Sequence, residues 1–330
     1  MSARQLSPLA ALGVWAVLLI AFAMFAVFSG NVQGFGGRPL LSALLGFALL
    51  LASMLLFAAR GVTERFTALV GASAGWLLGL ILFFIFLLYA LGTGNLSLLR
   101  LAAAAAFIFI PLLLLASAQN AAQGTWQDLL TIGLFWTAVK FGPTHWLWPY
   151  PGGRLAYIFT VVLAVNVAIA GFLLLRRAKN VGYSIGWGSG FSFAIIASLG
   201  LFAAVAIPLG LKLHFLEFAP RYHEWKSFLP LSVGILFFTA WPEEFLFRGL
   251  LQNHISRAAN SDAAGWIIAS ILFGFSHITN RHFPNWRYVL LATIAGFFYG
   301  WTWRRTNSIF ASAIVHAAVD ILWHFFFPIF

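Results

Sequence analysis

The sequence predicts an all-α fold, a polytopic transmembrane helical bundle of about ten or eleven membrane helices. Of its 330 residues, 62% are hydrophobic and only 8% are charged, whereas a soluble domain carries about 25% charged residues. The apolar residues occur in continuous runs of about 20, the length that a helix needs to cross a bilayer. The alternating pattern of a membrane β-barrel does not occur in these runs.

The net charge of +11 does not indicate a nucleic-acid-binding protein. The basic residues are scattered at the ends of the apolar runs, as is typical of topology signals and contacts with lipid headgroups. We therefore expect the lipid bilayer, and no nucleic acid, among the partners. The absence of cysteine excludes disulfides, thiolate metal sites and cysteine nucleophiles.

The apolar runs predict the helices in chain order. Runs long enough to span lie at about 9–29, 39–59, 67–92, 98–117, 154–175, 190–213, 229–250, 264–280, 287–303 and 308–327. A weaker run at about 121–139 begins with polar residues and is either a span or a surface helix. The first run exceeds the apolar core of a signal peptide, about 7–15 residues, so we interpret it as a retained membrane helix.

Lysine and arginine residues in short loops predict the orientation, because such loops face the cytoplasm. Basic residues follow the runs at 39–59, 154–175 and 287–303; they are Arg60, Arg65, Arg176, Arg177, Lys179, Arg304 and Arg305. If all three loops are cytoplasmic, the N-terminus is inside and 121–139 must span, which favours eleven helices.

The stretch 177–189 is the best candidate for a boundary between two regions. It separates an N-terminal transmembrane region, 1–180, whose role is unknown, from a C-terminal region, 181–330. The sequence places the candidate catalytic motifs in the second region, within 225–325.

Ionisable residues inside the apolar runs are the strongest functional signal. Each costs at least about 2.5–3.5 kcal/mol on membrane-insertion scales, so such residues are functional candidates by default. They are concentrated in the last four runs, and the N-terminal half has no comparable group. They are Glu243, Glu244, Arg248, His277, His316 and Asp320.

The spacing of these residues separates their roles. On a helix, Glu244 and Arg248 stand at i and i+4 on one face, where a carboxylate and a guanidinium can pair. Glu243 points about 100° away from that face, which suits it for chemistry. His316 and Asp320 also stand at i and i+4, on the last helix.

A buried carboxylate near histidines is suited to hydrolysis. A carboxylate in a low-dielectric cavity is a stronger base than in water and can take a proton from a water molecule. A histidine can hold that water or pass a proton, and donors on another helix can stabilise an oxyanion. Such a site needs neither a serine nor a cysteine nucleophile.

These residues resemble the three motifs of the CPBP family, the CAAX protease and bacteriocin-processing (Abi) family of intramembrane proteases, which includes the type II CAAX prenyl endopeptidase. The first motif, EExxxR, corresponds to Glu243, Glu244 and Arg248. The second, FxxxH, corresponds to Phe273 and His277, and the third, HxxxN or HxxxD, to His316 and Asp320. All three occur in the order of the family, one per predicted helix, and together they cover about residues 225–325.

The resemblance implies a role for each matched residue. Glu243 would be the general base, His277 its partner in binding the attacking water, and His316 with Asp320 the oxyanion side. The site-shaping residues would be Glu244, Arg248 and Phe273. The position of Asp320 is often Asn in the family. An ionised Asp only accepts hydrogen bonds, so Asp320 must be protonated or must orient His316 instead.

The resemblance leaves the cofactor open. The family has also been treated as metal-dependent, and Glu243, His277 and His316 could form a two-histidine, one-carboxylate zinc site. The sequence contains no HExxH motif, and we favour the metal-free glutamate mechanism, without a cofactor.

The sequence thus predicts an intramembrane endopeptidase, a multi-pass protein of a prokaryotic cytoplasmic membrane. Its expected partner is a membrane-embedded, tail-anchored or lipid-modified peptide or protein substrate. A proton-coupled transporter is the alternative from another class, since intramembrane Glu, His and Arg residues also form proton relays. A catalytically silent immunity or scaffold protein is a third possibility.

Overall fold

The computed structural model describes residues 4–28 and 37–327, most of which are helical. In this part of the chain, seven helices are long and apolar enough to cross a membrane by length and composition. The fold is therefore an all-α helical bundle, as predicted, and the protein is an integral multi-pass membrane protein.

The chain divides into two compact units, the first formed by Gln5–Lys179. Its helices are α1 Pro8–Phe28, α2 Arg38–Phe57, α3 Val62–Gly92, α4 Leu98–Ser117, α5 Trp126–Phe141, α6 Thr144–Leu147 and α7 Gly153–Leu175. The predicted first run, 9–29, corresponds to α1, and Ser29 lies outside the described residues.

The second unit is formed by Asn180–Phe330 with Arg4. Its helices are α8 Phe191–Lys212, a 3-10 helix Tyr222–Ser227, α9 (228–258), α10 Asp262–Phe275, α11 Trp286–Thr306 and α12 Ile309–Phe326. The strands of the described residues, Arg4–Gln5 and Gly186–Trp187, have two residues each.

Each of the eleven predicted runs contains a helix, but four of these helices are not among the seven apolar spans. Helix α5 has 16 residues and α10 has 14. Helices α9 and α11 are long, but each carries charged side chains that lower its hydropathy. The predicted number of ten or eleven spans thus exceeds the number that meets the criteria of length and composition.

The N-terminal unit contains a buried ion pair that the sequence analysis missed. The Arg176 side chain donates from Nε to Oδ1 of Asp128 (2.8 Å) and from Nη2 to Oδ2 (2.7 Å). It also donates to the carbonyls of Ala118, Ala121 and Ala122. This pair was not predicted, because Asp128 stands at the polar start of the run 121–139 and Arg176 in a loop.

This pair ties the start of α5 to the end of α7. The guanidinium is engaged by one carboxylate and by three backbone carbonyls of the segment that follows α4. Arg176 is thus held inside the protein and is a weaker topology signal than its place in the sequence suggested.

Helix α9 carries the first motif, and its backbone changes between π-helical and α-helical geometry around that motif. Pi-helical segments Leu236–Ala240 and Phe245–Gln252 flank a single α-helical turn, Trp241–Glu244. Pro242 has no backbone N–H to continue the regular α-helical bonding. Single π turns within helices often occur at functional sites.

Glycines allow α10 and α11 to pack closely beside the site. A Cβ on Gly296 would lie 3.0 Å from the carbonyl oxygen of Ser270, and one on Gly274 would lie 2.7 Å from that of Val289. Real Cβ atoms rarely approach so closely, so alanine at either position would push the two helices apart. The contact holds the end of α10, with the second motif, against α11.

Candidate active site

The first and third motifs meet at the carboxylate of Glu244, which is fully buried. Arg248 donates from Nε to its Oε2 atom (3.1 Å), and the Ser312 hydroxyl donates to the same oxygen. The Nδ1 atom of His316 lies 2.9 Å from Oε1. Glu244 therefore joins α9 to α12 through three donors, and the Glu244–Arg248 pair expected from the spacing is observed.

Arg248 is itself fully buried against aromatic rings. Its guanidinium carbon lies 5.0 Å from the ring centroid of Phe273 and 6.0 Å from that of Tyr299. The terminal nitrogens have no hydrogen-bond partner among the described residues, and the ring faces offset part of that cost by cation–π attraction. Phe273 also contacts the His277 ring at 4.9 Å and the His316 ring at 5.6 Å, so it links all three motifs.

The His316 ring lies between an inner and an outer set of carboxylates. It stacks on Tyr299 at 4.6 Å with an interplanar angle of 17°. While Nδ1 faces Glu244, Nε2 lies 3.5 Å from Oδ2 of Asp320 and 3.9 Å from Oε2 of Glu243. The Glu243 and Asp320 side chains are 31% and 32% exposed. The outer carboxylates are therefore the ones that an incoming molecule can reach.

His277 is not on a helix, contrary to the prediction of one motif per helix. Helix α10 ends at Phe275, and His277 lies in the turn that follows. Its Nδ1 atom lies 2.8 Å from the carbonyl oxygen of Phe273 and 3.0 Å from Oγ of Ser276. Because a carbonyl only accepts, that contact favours the tautomer with the proton on Nδ1. The ring also packs on Tyr288 at 4.8 Å.

The structure thus brings residues of all three motifs together in one unit, although their catalytic roles stay predictions. Ser312, Tyr288 and Tyr299 were not among the site residues predicted from the sequence. The spacing could have revealed Ser312, because it stands four residues before His316 and therefore lies on the same face of α12 as His316 and Asp320. The two tyrosines are eleven residues apart, which places them on one face of α11.

The three residues proposed as zinc ligands do not form a preformed metal site. Among the described residues, no group of three or more His, Cys, Asp or Glu side chains could hold a metal ion. Glu243, His277 and His316 therefore lack the arrangement of a three-ligand site, and one nitrogen of His316 is engaged by Glu244. The zinc-dependent alternative stays a prediction.

Two contacts hold the segment around Glu224 against the end of α12. Oε2 of Glu224 lies 2.9 Å from Nε2 of His324, and the backbone N–H of Arg221 donates to the carbonyl of Phe325 (2.8 Å). Desolvation raises the pKa of Glu224, but the hydrogen bond with His324 and the charge of Arg221 outweigh it. The pKa of Glu224 is therefore below its ordinary value of 4.5.

Comparison with known proteins identifies this part of the chain. A family model described as type II CAAX prenyl endopeptidase Rce1-like matches residues 225–322, a range that contains every residue of the three motifs. Residues 225–322 are therefore similar to the type II CAAX prenyl endopeptidases that this model describes. The N-terminal unit lies outside the matched range.

The chain is also similar to a bacterial protein. It is 28% identical over 95 residues to the uncharacterized protein YpbD of Bacillus subtilis (strain 168). The alignment covers 29% of this chain and 44% of that relative, so it spans less than half of YpbD. No solved structure matches the chain significantly.

Proposed function

We propose that this CAAX protease family protein is an intramembrane endopeptidase that hydrolyses a peptide bond by a glutamate-activated water. The observation that carries the proposal is the arrangement around His316. One of its nitrogens is held by the buried Glu244 (2.9 Å), and the other faces the partly exposed Glu243 (3.9 Å) and Asp320 (3.5 Å).

In the first step, Glu243 takes a proton from a water molecule that His277 helps to hold. The water oxygen bonds to the carbonyl carbon of the substrate, and the π electrons of the C=O bond move to the carbonyl oxygen. The product is a tetrahedral oxyanion, which needs hydrogen-bond donors to stabilise it.

In the second step, the oxyanion collapses. Its electron pair re-forms the C=O bond, the C–N bond breaks, and the proton held by Glu243 passes to the departing nitrogen. The products are a carboxyl group and an amine, and water is the only co-reactant.

Glu244 and its donors act by positioning His316. Arg248 and Ser312 fix the Glu244 carboxylate, and that carboxylate fixes the ring through Nδ1. Asp320 lies on the Nε2 side of the same ring. Of the two roles open to Asp320, the contact with His316 favours orientation of the ring over donation to the oxyanion.

The proposed substrate is a membrane-embedded, tail-anchored or lipid-modified peptide or protein. A site on membrane helices meets peptide bonds that a membrane anchor brings to it, and the family description names prenyl endopeptidases. The bacterial relative supports a prokaryotic cytoplasmic membrane as the location.

The test uses purified protein in liposomes with a panel of S-prenylated, tail-anchored and single-span peptides, and cut sites are read by mass spectrometry. We expect the native protein to cleave at least one class and Glu243→Gln to lose at least about 1,000-fold in kcat, the loss of a general base together with its charge. Glu217→Gln is the matched control, because Glu217 is an exposed carboxylate of the same unit. Full cleavage by the Glu243 variant would refute the proposal.

A further inference from the structure

We propose that Tyr288 is a further catalytic residue, whose hydroxyl donates a hydrogen bond to the oxyanion of the tetrahedral intermediate. This inference rests on the proposed function and adds a group that none of the three motifs contains.

The motif residues alone leave the oxyanion short of donors. The Nδ1 atom of His316 faces Glu244, and Nε2 faces Asp320 at 3.5 Å. An ionised Asp320 offers no proton to a second anion. A donor from outside the motifs would therefore complete the site, and it should carry no negative charge.

Tyr288 is placed on the reacting side of the site. It lies in the first turn of α11, and its ring packs on the His277 ring at 4.8 Å. The carboxylates of Asp320 and Glu243 both lie within electrostatic range of its hydroxyl. One side chain thus packs on the proposed water-binding histidine and lies within electrostatic range of both reachable carboxylates.

The position of Tyr288 is fixed from several directions. Its backbone N–H donates to Oδ1 of Asn285 (3.1 Å), which caps α11. The ring of Phe215 meets its ring edge-on at 5.3 Å, and the Asn280 side chain hydrogen-bonds to its hydroxyl. A donor held in advance costs little reorganisation when charge develops, which is the property that oxyanion stabilisation requires.

The phenol also has the right chemistry. It donates one hydrogen bond while remaining neutral, so it does not repel the developing anion as a third carboxylate would. If the Asn280 amide donates to the phenolic oxygen, the hydroxyl proton is left to point towards the substrate.

The experiment compares the native protein with Tyr288→Phe on the peptide of the panel that the native protein cleaves fastest. Phenylalanine keeps the ring contacts with His277 and Phe215 and removes only the hydroxyl. We expect kcat to fall about 100-fold, the cost of one oxyanion donor, with little change in KM. The affinity for a phosphinate analogue of that peptide, which mimics the tetrahedral intermediate, should fall by a similar factor.

Tyr222→Phe is the matched control, because Tyr222 is 69% exposed and its hydroxyl should not affect turnover. Unchanged kcat in Tyr288→Phe would overturn the inference while the proposed function stands. A fall in kcat without weaker phosphinate binding would also overturn it, since that result indicates displacement of His277. If the native protein cleaves no peptide of the panel, the proposed function and this inference fall together.

Discussion

Nδ1 of His316 lies 2.9 Å from Oε1 of Glu244, and this contact joins residues 72 positions apart. The sequence spacing predicted only that Glu244 pairs with Arg248, and the structure gives Glu244 a further contact on another helix. It holds the histidine of the third motif in place, while Glu243, one residue before it, reaches the other side of the same ring.

Removing the Glu244 charge should destabilise the fold. In Glu244→Gln the buried guanidinium of Arg248 loses its counter-ion, and breaking a buried pair in this way costs about 3–5 kcal/mol. We expect a lower midpoint of thermal unfolding in detergent, and Glu217→Gln should leave it unchanged. The double variant Glu244→Gln/Arg248→Met should lose less than the sum of the two single variants, because neither residue then remains as an unpaired charge. Additive losses would contradict the pairing.

Asp320 should tolerate asparagine better than alanine. Both Asp and Asn present an oxygen that can accept from Nε2 of His316, whereas alanine lets the ring turn. We expect kcat to fall by less than about tenfold in Asp320→Asn and by about 100-fold in Asp320→Ala, the cost of a misplaced catalytic group. A greater loss in the asparagine variant than in the alanine variant would show that orientation is not the role of Asp320.

Metal removal should leave activity intact. The proposed mechanism uses water, Glu243 and His277, so dialysis against EDTA and 1,10-phenanthroline should not lower kcat. Elemental analysis measures the zinc that remains after dialysis, so that activity can be compared with zinc content. Activity that disappears with zinc and returns on its addition would favour the zinc-dependent alternative.

The contact between Glu224 and His324 should stabilise the protein at neutral pH, and this stabilisation should be lost in acid. The pKa of Glu224 is below 4.5 in the folded state, so its contribution is present above pH 4.5 and is lost as the pH falls through the folded-state value. We expect His324→Gln to lower the unfolding midpoint slightly at pH 6, because the variant removes the contact with the Glu224 carboxylate. The difference should shrink as the pH falls further below 4.5, and a difference that stays constant there would contradict this assignment.

The sequence predicted the relationships that lie within one helix. The pairs Glu244–Arg248 and His316–Asp320 follow from a spacing of four residues, and both contacts are observed. The relationships between helices could not be predicted in the same way. The contact of Ser312 with Glu244 and the pairing of Arg176 with Asp128 depend on how distant helices pack, and one sequence does not record that packing.

The end of α10 was missed for a local reason. The apolar run continues through Ile278, and the first proline after it is Pro284, so no strong stop signal precedes His277. The chain nevertheless leaves the helix after Phe275.

The shortness of α10 has a consequence for the supply of water. Its 14 residues rise about 21 Å, while the hydrocarbon core of a bilayer is about 30 Å thick. A helix that starts at one surface would end before reaching the other, and the irregular backbone after it must be buried in protein or line an aqueous cavity. The backbone of the turn that carries His277 is hydrogen-bonded within the protein, for example from Asn280 N–H to the carbonyl of His277 (3.0 Å). If this turn also lines an aqueous cavity, the same water would supply the second reactant of hydrolysis to Glu243.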